Sequence, residues 1–242
     1  YWVDSPKAFE RRMKGIVALH PDKFEPFELC KTSSDIPVPG FLMGQGKRHV
    51  FLLGRVHGHE PAGTCGLVAL MEGLARNKVP ASEHQFKEAQ RILNNFKLNI
   101  FPMLNPDAAE RFSSQIRDSF PSEQLGYSEE DFQKLLAILH EPGLTLNKRR
   151  LPYYTPEESG ILDEIGKPMG TLFTEDGIEL WKDWAYERAP QTRALKKLMC
   201  ASRPVLLVDV HQHYRPTTIF TPTELHERDV LLYKKLGGLV YD

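Results

Sequence analysis

Cysteine is scarce in this sequence, with three residues in 242. Cys30, Cys65 and Cys200 are odd in number and far apart, and no pair has the Cys-x-x-Cys spacing of a thiolate zinc site. This pattern excludes a disulfide framework and predicts three reduced, buried thiols. Unpaired cysteines favour a reducing compartment such as the cytoplasm, and nothing else in the sequence indicates the compartment.

Long apolar runs and an excess of one charge are also missing. No stretch approaches the roughly 18 apolar residues of a membrane-spanning helix, so the sequence predicts no membrane partner. The 31 basic and 32 acidic side chains leave a net charge of -1, which gives nucleic acid no long-range attraction. With 41% hydrophobic and 26% charged residues, the composition is that of a globular protein, and we expect a single domain over residues 1–242.

The order of apolar patterns predicts an α/β fold. Helical patterns cover 6–19, 62–75, 82–94, 121–141, 181–199 and 225–239, and strand patterns cover 49–56, 98–104, 204–210 and 217–220. Residues 36–48 and 142–178 are rich in proline and glycine and are interpreted as irregular segments. Strands alternating with helices are typical of a three-layer sandwich, in which helices flank a central mixed, largely parallel sheet.

One short stretch, GRVHGHEPAG at 54–63, contains two histidines and a glutamate where a strand pattern ends and a helical pattern begins. In a turn or a first helical turn, the spacing of His57 and Glu60 lets both side chains converge on one point. A second strand pattern ends at His211, which would complete a set of two histidines and one glutamate. Catalytic zinc takes three protein ligands of these types and leaves a fourth position for water. The alternative is a polar loop without metal, with His59, His213 and His226 as surface histidines.

Four stretches occur in a characteristic order. They are HGHEPAG at 57–63, PMLNPD at 102–107, LNK at 146–148 and DVH at 209–211. Together they resemble the motifs of the zinc carboxypeptidases of the M14 type, and in part those of the aspartoacylase and succinylglutamate desuccinylase group. The stretch 189–195 is similar to the family's segment before the third ligand, with Gln191 where glutamate is common. The resemblance runs from about residue 10 to the end of the chain.

The resemblance implies a zinc ion held by His57, Glu60 and His211. It also implies hydrolysis of the C-terminal peptide bond of a peptide substrate. Two arginines, Arg111 and Arg117, are candidates for the family's arginine that polarises the scissile carbonyl, and their spacing does not decide between them.

The family's pair that binds the substrate carboxylate falls on Asn147 and Lys148. Lysine replaces arginine here, and an ammonium group cannot make the two-pronged contact of a guanidinium, so Arg149 is the alternative. A further departure is Thr145, which stands where the family has the acidic residue that orients the first zinc-binding histidine.

The family's general base is a glutamate on a strand well beyond the third ligand, but His211 is followed by only 31 residues in a chain of 242. Glu224 arrives too early and is better interpreted as an acidic residue at the start of a helix. We therefore expect that the chain lacks the C-terminal portion of the catalytic domain. Two other functions stay open: a zinc-dependent deacylase of N-acyl amino acids, and an inactive zinc-binding homologue.

Overall fold

Five strands form one mixed sheet in the computed structural model, which describes residues 3–80, 82–119, 130–131, 133–134 and 172–212. The strands are β1 (Glu25–Lys31), β2 (Pro37–Met43), β3 (Arg48–Gly54), β4 (Phe96–Phe101) and β5 (Leu206–Val210). Their order across the sheet is β1-β2-β4-β3-β5. Because β3 pairs in parallel with both β4 and β5, the carboxyl ends of these three strands lie at one edge.

The described helices are α1 (Pro6–Leu19), α2 (Pro61–Arg76), α3 (Ala89–Asn95), α4 (Pro106–Ser119), a short 3-10 helix (Leu180–Ala185) and α5 (Pro190–Ser202). The predicted bounds of the first helix are confirmed: Ser5 caps α1, its side chain accepting a hydrogen bond from the Ala8 amide. None of the helices among the described residues is long and apolar enough to cross a bilayer.

Hydrophobic side chains cover both faces of the sheet. On β3, Val50 packs into a cluster formed largely by α1 and α2, whereas Phe51 and Leu53 pack into a second cluster. The second cluster includes Leu180 of the 3-10 helix and Leu195 of α5. This alternation follows from the two-residue period of a strand. The predicted three-layer α/β sandwich with a mixed sheet is therefore confirmed.

Two strands were not predicted. β2 lies inside the segment that the sequence indicates to be irregular, because Pro37 and Pro39 suggest a break. The strand tolerates both prolines because its pairing with β4 begins only at Phe41. β1 and β2 are antiparallel, as are β2 and β4, so only two of the four pairings are parallel.

The helix predicted over residues 82–94 is wrong in its first half, since α3 begins at Ala89. The preceding residues form a turn, in which the Val79 amide donates to the His84 carbonyl (2.9 Å). Ser82 holds this turn instead of capping a helix: its hydroxyl accepts a hydrogen bond from the His84 amide (3.1 Å). The last predicted helix before β5 is divided into the 3-10 helix and α5.

The three cysteines are free, as predicted, but they are not all buried: Cys200 is exposed, and Cys30 and Cys65 are partly buried. The predicted strand over 217–220 and helix over 225–239 lie outside the described residues, as do most of the predicted helix over 121–141 and most of the irregular segment. The residues up to His211 form one compact unit. The single domain over 1–242 stays a prediction.

Candidate metal centre

The turn after β3 is fixed by a buried arginine. Arg55 has a left-handed backbone conformation (φ 53°), which bends the chain directly after the strand. Its Nε donates to the Gly58 carbonyl (2.9 Å) and its Nη2 donates to the Asp4 carbonyl (2.7 Å). Burial lowers the pKa of Arg55 to about 10. The guanidinium thus links the segment before α1 with the turn that contains His57.

The turn is also joined to the start of α4. The buried Asn105 donates from Nδ2 to the Val56 carbonyl (3.1 Å), and its Oδ1 accepts a hydrogen bond from the Ala108 amide (3.3 Å). Gly58 lies so close to α4 that a Cβ there would be 2.3 Å from the carbonyl carbon and oxygen of Ala108. The Asn-Pro-Asp stretch therefore positions the turn.

Three side chains converge at the edge where the parallel strands end. Nδ1 of His57 lies 2.9 Å from Oε1 of Glu60, and Nδ1 of His211 lies 3.0 Å from Oε2 of the same carboxylate. One candidate ligand atom from each residue lies within 4.8 Å of the other two. His57 and Glu60 are buried and His211 is partly buried. A merely polar loop does not account for this convergence across 151 positions of sequence.

The two imidazoles keep the central carboxylate ionised. Burial opposes the ionisation of Glu60, but its hydrogen bonds with His211 and His57 outweigh burial and lower its pKa to about 2. Burial likewise opposes the charged form of His211, whose hydrogen bonds with Asp209 and Glu60 raise its pKa to about 10. An ionised carboxylate only accepts hydrogen bonds, so the ring nitrogens that face Glu60 carry protons in this arrangement.

Two further carboxylates lie behind the histidines. Oδ2 of Asp209 lies 3.1 Å from Nε2 of His211, and Oε1 of Glu179 lies 3.8 Å from Nε2 of His57. Sequence reasoning assigned no role to either residue. Asp209 had a signal, since it stands two positions before His211 in the DVH stretch. Glu179 had none, because the sequence does not show which part of the long segment before α5 approaches His57.

The donor set fits zinc. Two imidazoles and one carboxylate are a common catalytic zinc set, and ligand atoms about 2 Å from a tetrahedral ion lie roughly 3.4 Å from one another. Nε2 of His57 is buried and has no hydrogen-bond partner among the described residues, so this ring is left with one unfulfilled polar atom. Metal ligands of this kind bind in their deprotonated forms, and a divalent cation would replace the protons between the rings and Glu60.

His59 is not a surface histidine. Its side chain is only 15% exposed, and its ring stacks on that of His57 with centroids 5.9 Å apart. Burial lowers the pKa of His59 to about 4, so the ring is neutral at neutral pH. The neutral ring therefore lies beside the site, with Nε2 3.9 Å from Oε1 of Glu60.

The structure describes only some of the residues that were predicted to act on substrate. Arg111 is buried in α4, where its guanidinium donates to the Glu175 carboxylate and to the Phe173 carbonyl. Burial lowers the pKa of Arg111, and the Glu175 carboxylate opposes that shift. Arg117 lies near the end of α4. The substrate-binding candidates Asn147, Lys148 and Arg149, together with Thr145 and Glu224, lie outside the described residues.

Residues 10–126, which include the turn and α4, match the family model for zinc carboxypeptidases, Peptidase M14. This chain is related to the zinc carboxypeptidases. The resemblance seen in the sequence motifs is thereby confirmed for this family. The curated Carboxypeptidase 2 of the fungus Trichophyton tonsurans is 32% identical over 98 residues, which are 40% of this chain and 16% of that protein. Carboxypeptidase 2 of Trichophyton equinum matches equally well.

Two solved structures share the fold of this chain. A metallo-carboxypeptidase from Burkholderia cenocepacia is similar over 86% of this chain and 41% of its own, with a TM-score of 0.54 and 16% identity. Thrombin activatable fibrinolysis inhibitor is similar over 96% of this chain and 54% of its own, with a TM-score of 0.54 and 12% identity. The chain therefore spans about half or less of the length of these proteins, and identities this low show the fold alone.

Proposed function

We propose that this protein is a zinc-dependent metallocarboxypeptidase that hydrolyses the C-terminal peptide bond of a peptide substrate. The observation that carries the proposal is the convergence of His57, Glu60 and His211 at the carboxyl edge of the parallel strands. The match of residues 10–126 to the zinc carboxypeptidases supports it. The surroundings of the three side chains, with a buried carboxylate behind His57 and a partly buried one behind His211, suit a bound divalent cation.

When bound, zinc supplies a Lewis acid that lowers the pKa of water to about 7 and polarises the scissile carbonyl. The protein's part is to hold the three ligands and to place positive charge where the carbonyl oxygen becomes negative. Both arginines stay candidates for the second task, and the Arg111 guanidinium is already engaged by Glu175. Asn147 with Lys148 or Arg149 is proposed to bind the terminal carboxylate of the substrate.

The first test compares the full-length natural protein with its His57→Ala variant. We expect the unaltered protein to bind one zinc ion and to release C-terminal amino acids from N-blocked peptides, measured by mass spectrometry. Removal of one ligand should abolish both zinc retention and hydrolysis, because three protein ligands are the usual minimum for a catalytic zinc. His84→Ala is the matched control, since His84 is exposed and hydrogen-bonded to Ser82 in a turn after α2.

Each result decides between functions. A His57→Ala variant that kept one equivalent of zinc would overturn the assignment of the metal ligands. Release of acetate from N-acetyl amino acids, with no cleavage of peptides, would replace the carboxypeptidase by a deacylase. Zinc binding by the full-length natural protein, without turnover on either set of substrates, would identify the inactive zinc-binding homologue.

A further inference from the structure

We propose that Glu179 is the positioning residue for His57, the role for which the sequence resemblance implies an acidic residue at position 145, where this chain has threonine. The inference rests on the proposed function, because orienting His57 matters for a metal bound at Glu60 and His211. It adds to that function a residue from the segment just before the 3-10 helix, which no sequence motif indicates.

The geometry places one carboxylate oxygen opposite the unused nitrogen of His57. Oε1 of Glu179 lies 3.8 Å from Nε2 of His57, and the side chains are 5% and 11% exposed. Nε2 is the ring nitrogen that faces away from Glu60 and that lacks a hydrogen-bond partner among the described residues. A shift of about 1 Å brings the two atoms within hydrogen-bond distance. Metal-binding histidines generally donate from the second ring nitrogen to such a carboxylate, which fixes the ring and its tautomer.

The other histidine has the same arrangement. Nε2 of His211 lies 3.1 Å from Oδ2 of Asp209, while Nδ1 faces Glu60. Both imidazoles thus point Nδ1 at one shared carboxylate and Nε2 at a carboxylate of their own. Asp209 precedes His211 on the same strand end, whereas the carboxylate for His57 comes from a distant part of the chain.

The second oxygen of Glu179 is also buried and faces a lysine. Its Oε2 lies 3.2 Å from Nζ of Lys182, whose side chain is 41% exposed. This ion pair engages Oε2 and leaves Oε1 for His57.

The segment that carries Glu179 is anchored to α4. The Thr174 amide donates to the Ile178 carbonyl (2.9 Å), and Phe173 pairs with Glu179 in an antiparallel bridge. Arg111 of α4 donates to the Phe173 carbonyl at the base of this turn. The Glu179 carboxylate is therefore held by a turn that is itself hydrogen-bonded to α4, as a positioning residue requires.

The test measures zinc affinity, by competition with a chromophoric chelator, for the full chain and for Glu179→Gln and Glu179→Met. We expect affinity to fall about 10- to 100-fold in the Met variant and by a smaller factor in the Gln variant, which keeps an acceptor but loses the charge. Glu72→Gln is the matched control, because Glu72 is also buried and pairs with half-exposed cations, Arg12 and Arg76. This control should bind zinc as the unaltered protein does.

A second measurement needs no substitution. Long-range proton–nitrogen NMR spectra of the zinc-loaded protein should show His57 protonated at Nε2, with a proton shifted downfield by its hydrogen bond. An Nε2 proton without this downfield shift would overturn the inference even if both variants failed to fold. Unchanged zinc affinity in folded Glu179→Gln and Glu179→Met variants would also overturn it.

The two proposals fail in different ways. If affinity falls as expected but no peptide is hydrolysed, the positioning role stands and the carboxypeptidase falls. If hydrolysis requires zinc but the Glu179 variants match the Glu72 control, the carboxypeptidase stands and the positioning role falls. A protein that binds no zinc overturns both.

Discussion

Asp107, the last residue of the Asn-Pro-Asp stretch, shows how strongly the pKa of a buried carboxyl group depends on its immediate neighbours. The side chain is fully buried; Thr32 donates a hydrogen bond to Oδ1 (3.0 Å), and Oδ2 has no partner among the described residues. Burial raises the pKa of Asp107 to about 6, although the Thr32 hydrogen bond opposes the shift. The nearby Glu175 carboxylate raises the pKa further, and Arg111 lowers it.

We predict that Asp107→Asn stabilises the metal-free protein at pH 7. The native pKa lies above the ordinary value of 3.8, so the folded state binds more protons than the unfolded state between about pH 4 and 6. The stability of the unaltered protein therefore falls as pH rises through this range. The Asn variant does not lose this stability, because its side-chain amide does not ionise. Urea unfolding should show the variant more stable by about 1–3 kcal/mol at pH 7 and nearly equal at pH 4.

The exposed Asp118→Asn is the control and should change the free energy of unfolding by less than about 0.5 kcal/mol at both pH values. An Asp107→Asn gain of the same size at pH 4 and pH 7 would show that Asp107 does not titrate in this range.

At the level of single residues, the sequence predicted the candidate metal ligands, whose positions follow from their spacing. It missed the contacts between residues that only the fold brings together. His57 and Glu60 are three positions apart, and His211 stands at a corresponding strand end, so their meeting was predictable from topology. Glu179 reaches His57 only through the turn before the 3-10 helix, for which the sequence has no periodic signal. Arg111 was predicted to act on substrate, but its ion pair with Glu175 depends on the same turn.

At the level of elements, α1, β3 and α2 were predicted closely because their apolar residues follow the helical or strand period. The failure at β2 has a different origin. Its prolines suggest a loop. Only the pairing of the neighbouring strands shows that no backbone amide is needed at either proline for a hydrogen bond to β4. The sheet is consequently less parallel than the sequence indicated.

The contact between the turn after β3 and α4 gives the second prediction. A methyl group at position 58 would meet the backbone of Ala108 at 2.3 Å, and backbone atoms cannot move aside as a side chain can. We expect Gly58→Ala to displace the turn, to lower the free energy of unfolding by about 1–3 kcal/mol and to weaken zinc binding. Urea unfolding and chelator competition measure the two effects.

Gly66→Ala is the control for this substitution. Gly66 lies inside α2, and a Cβ there meets nothing within 4 Å, so alanine should stabilise the helix by about 0.5–1 kcal/mol. If Gly58→Ala behaved like Gly66→Ala in both measurements, the close approach of the turn to α4 would be wrong.

At the level of the whole molecule, the candidate metal centre joins elements that are far apart in sequence. Glu60 immediately precedes α2, and His211 follows β5, with 151 positions between them. Val56, next to His57, belongs to one hydrophobic cluster, and Val210, next to His211, packs against the other, so an ion held there would join chain segments from both clusters.

We therefore predict that zinc stabilises the folded protein as a whole. A ligand that binds only the native state at 100 times its dissociation constant adds about 2.7 kcal/mol to the free energy of unfolding. For a domain of this size, each kcal/mol shifts the melting temperature by roughly 2–4 °C, so calorimetry should show a rise of about 5–10 °C. A chelator should reverse the rise, and His57→Ala should show none.

Magnesium at the same concentration is the metal control, because it favours oxygen ligands and should leave the melting temperature unchanged. An equal rise with magnesium, or in the His57→Ala variant, would mean that the stabilising ion lies elsewhere.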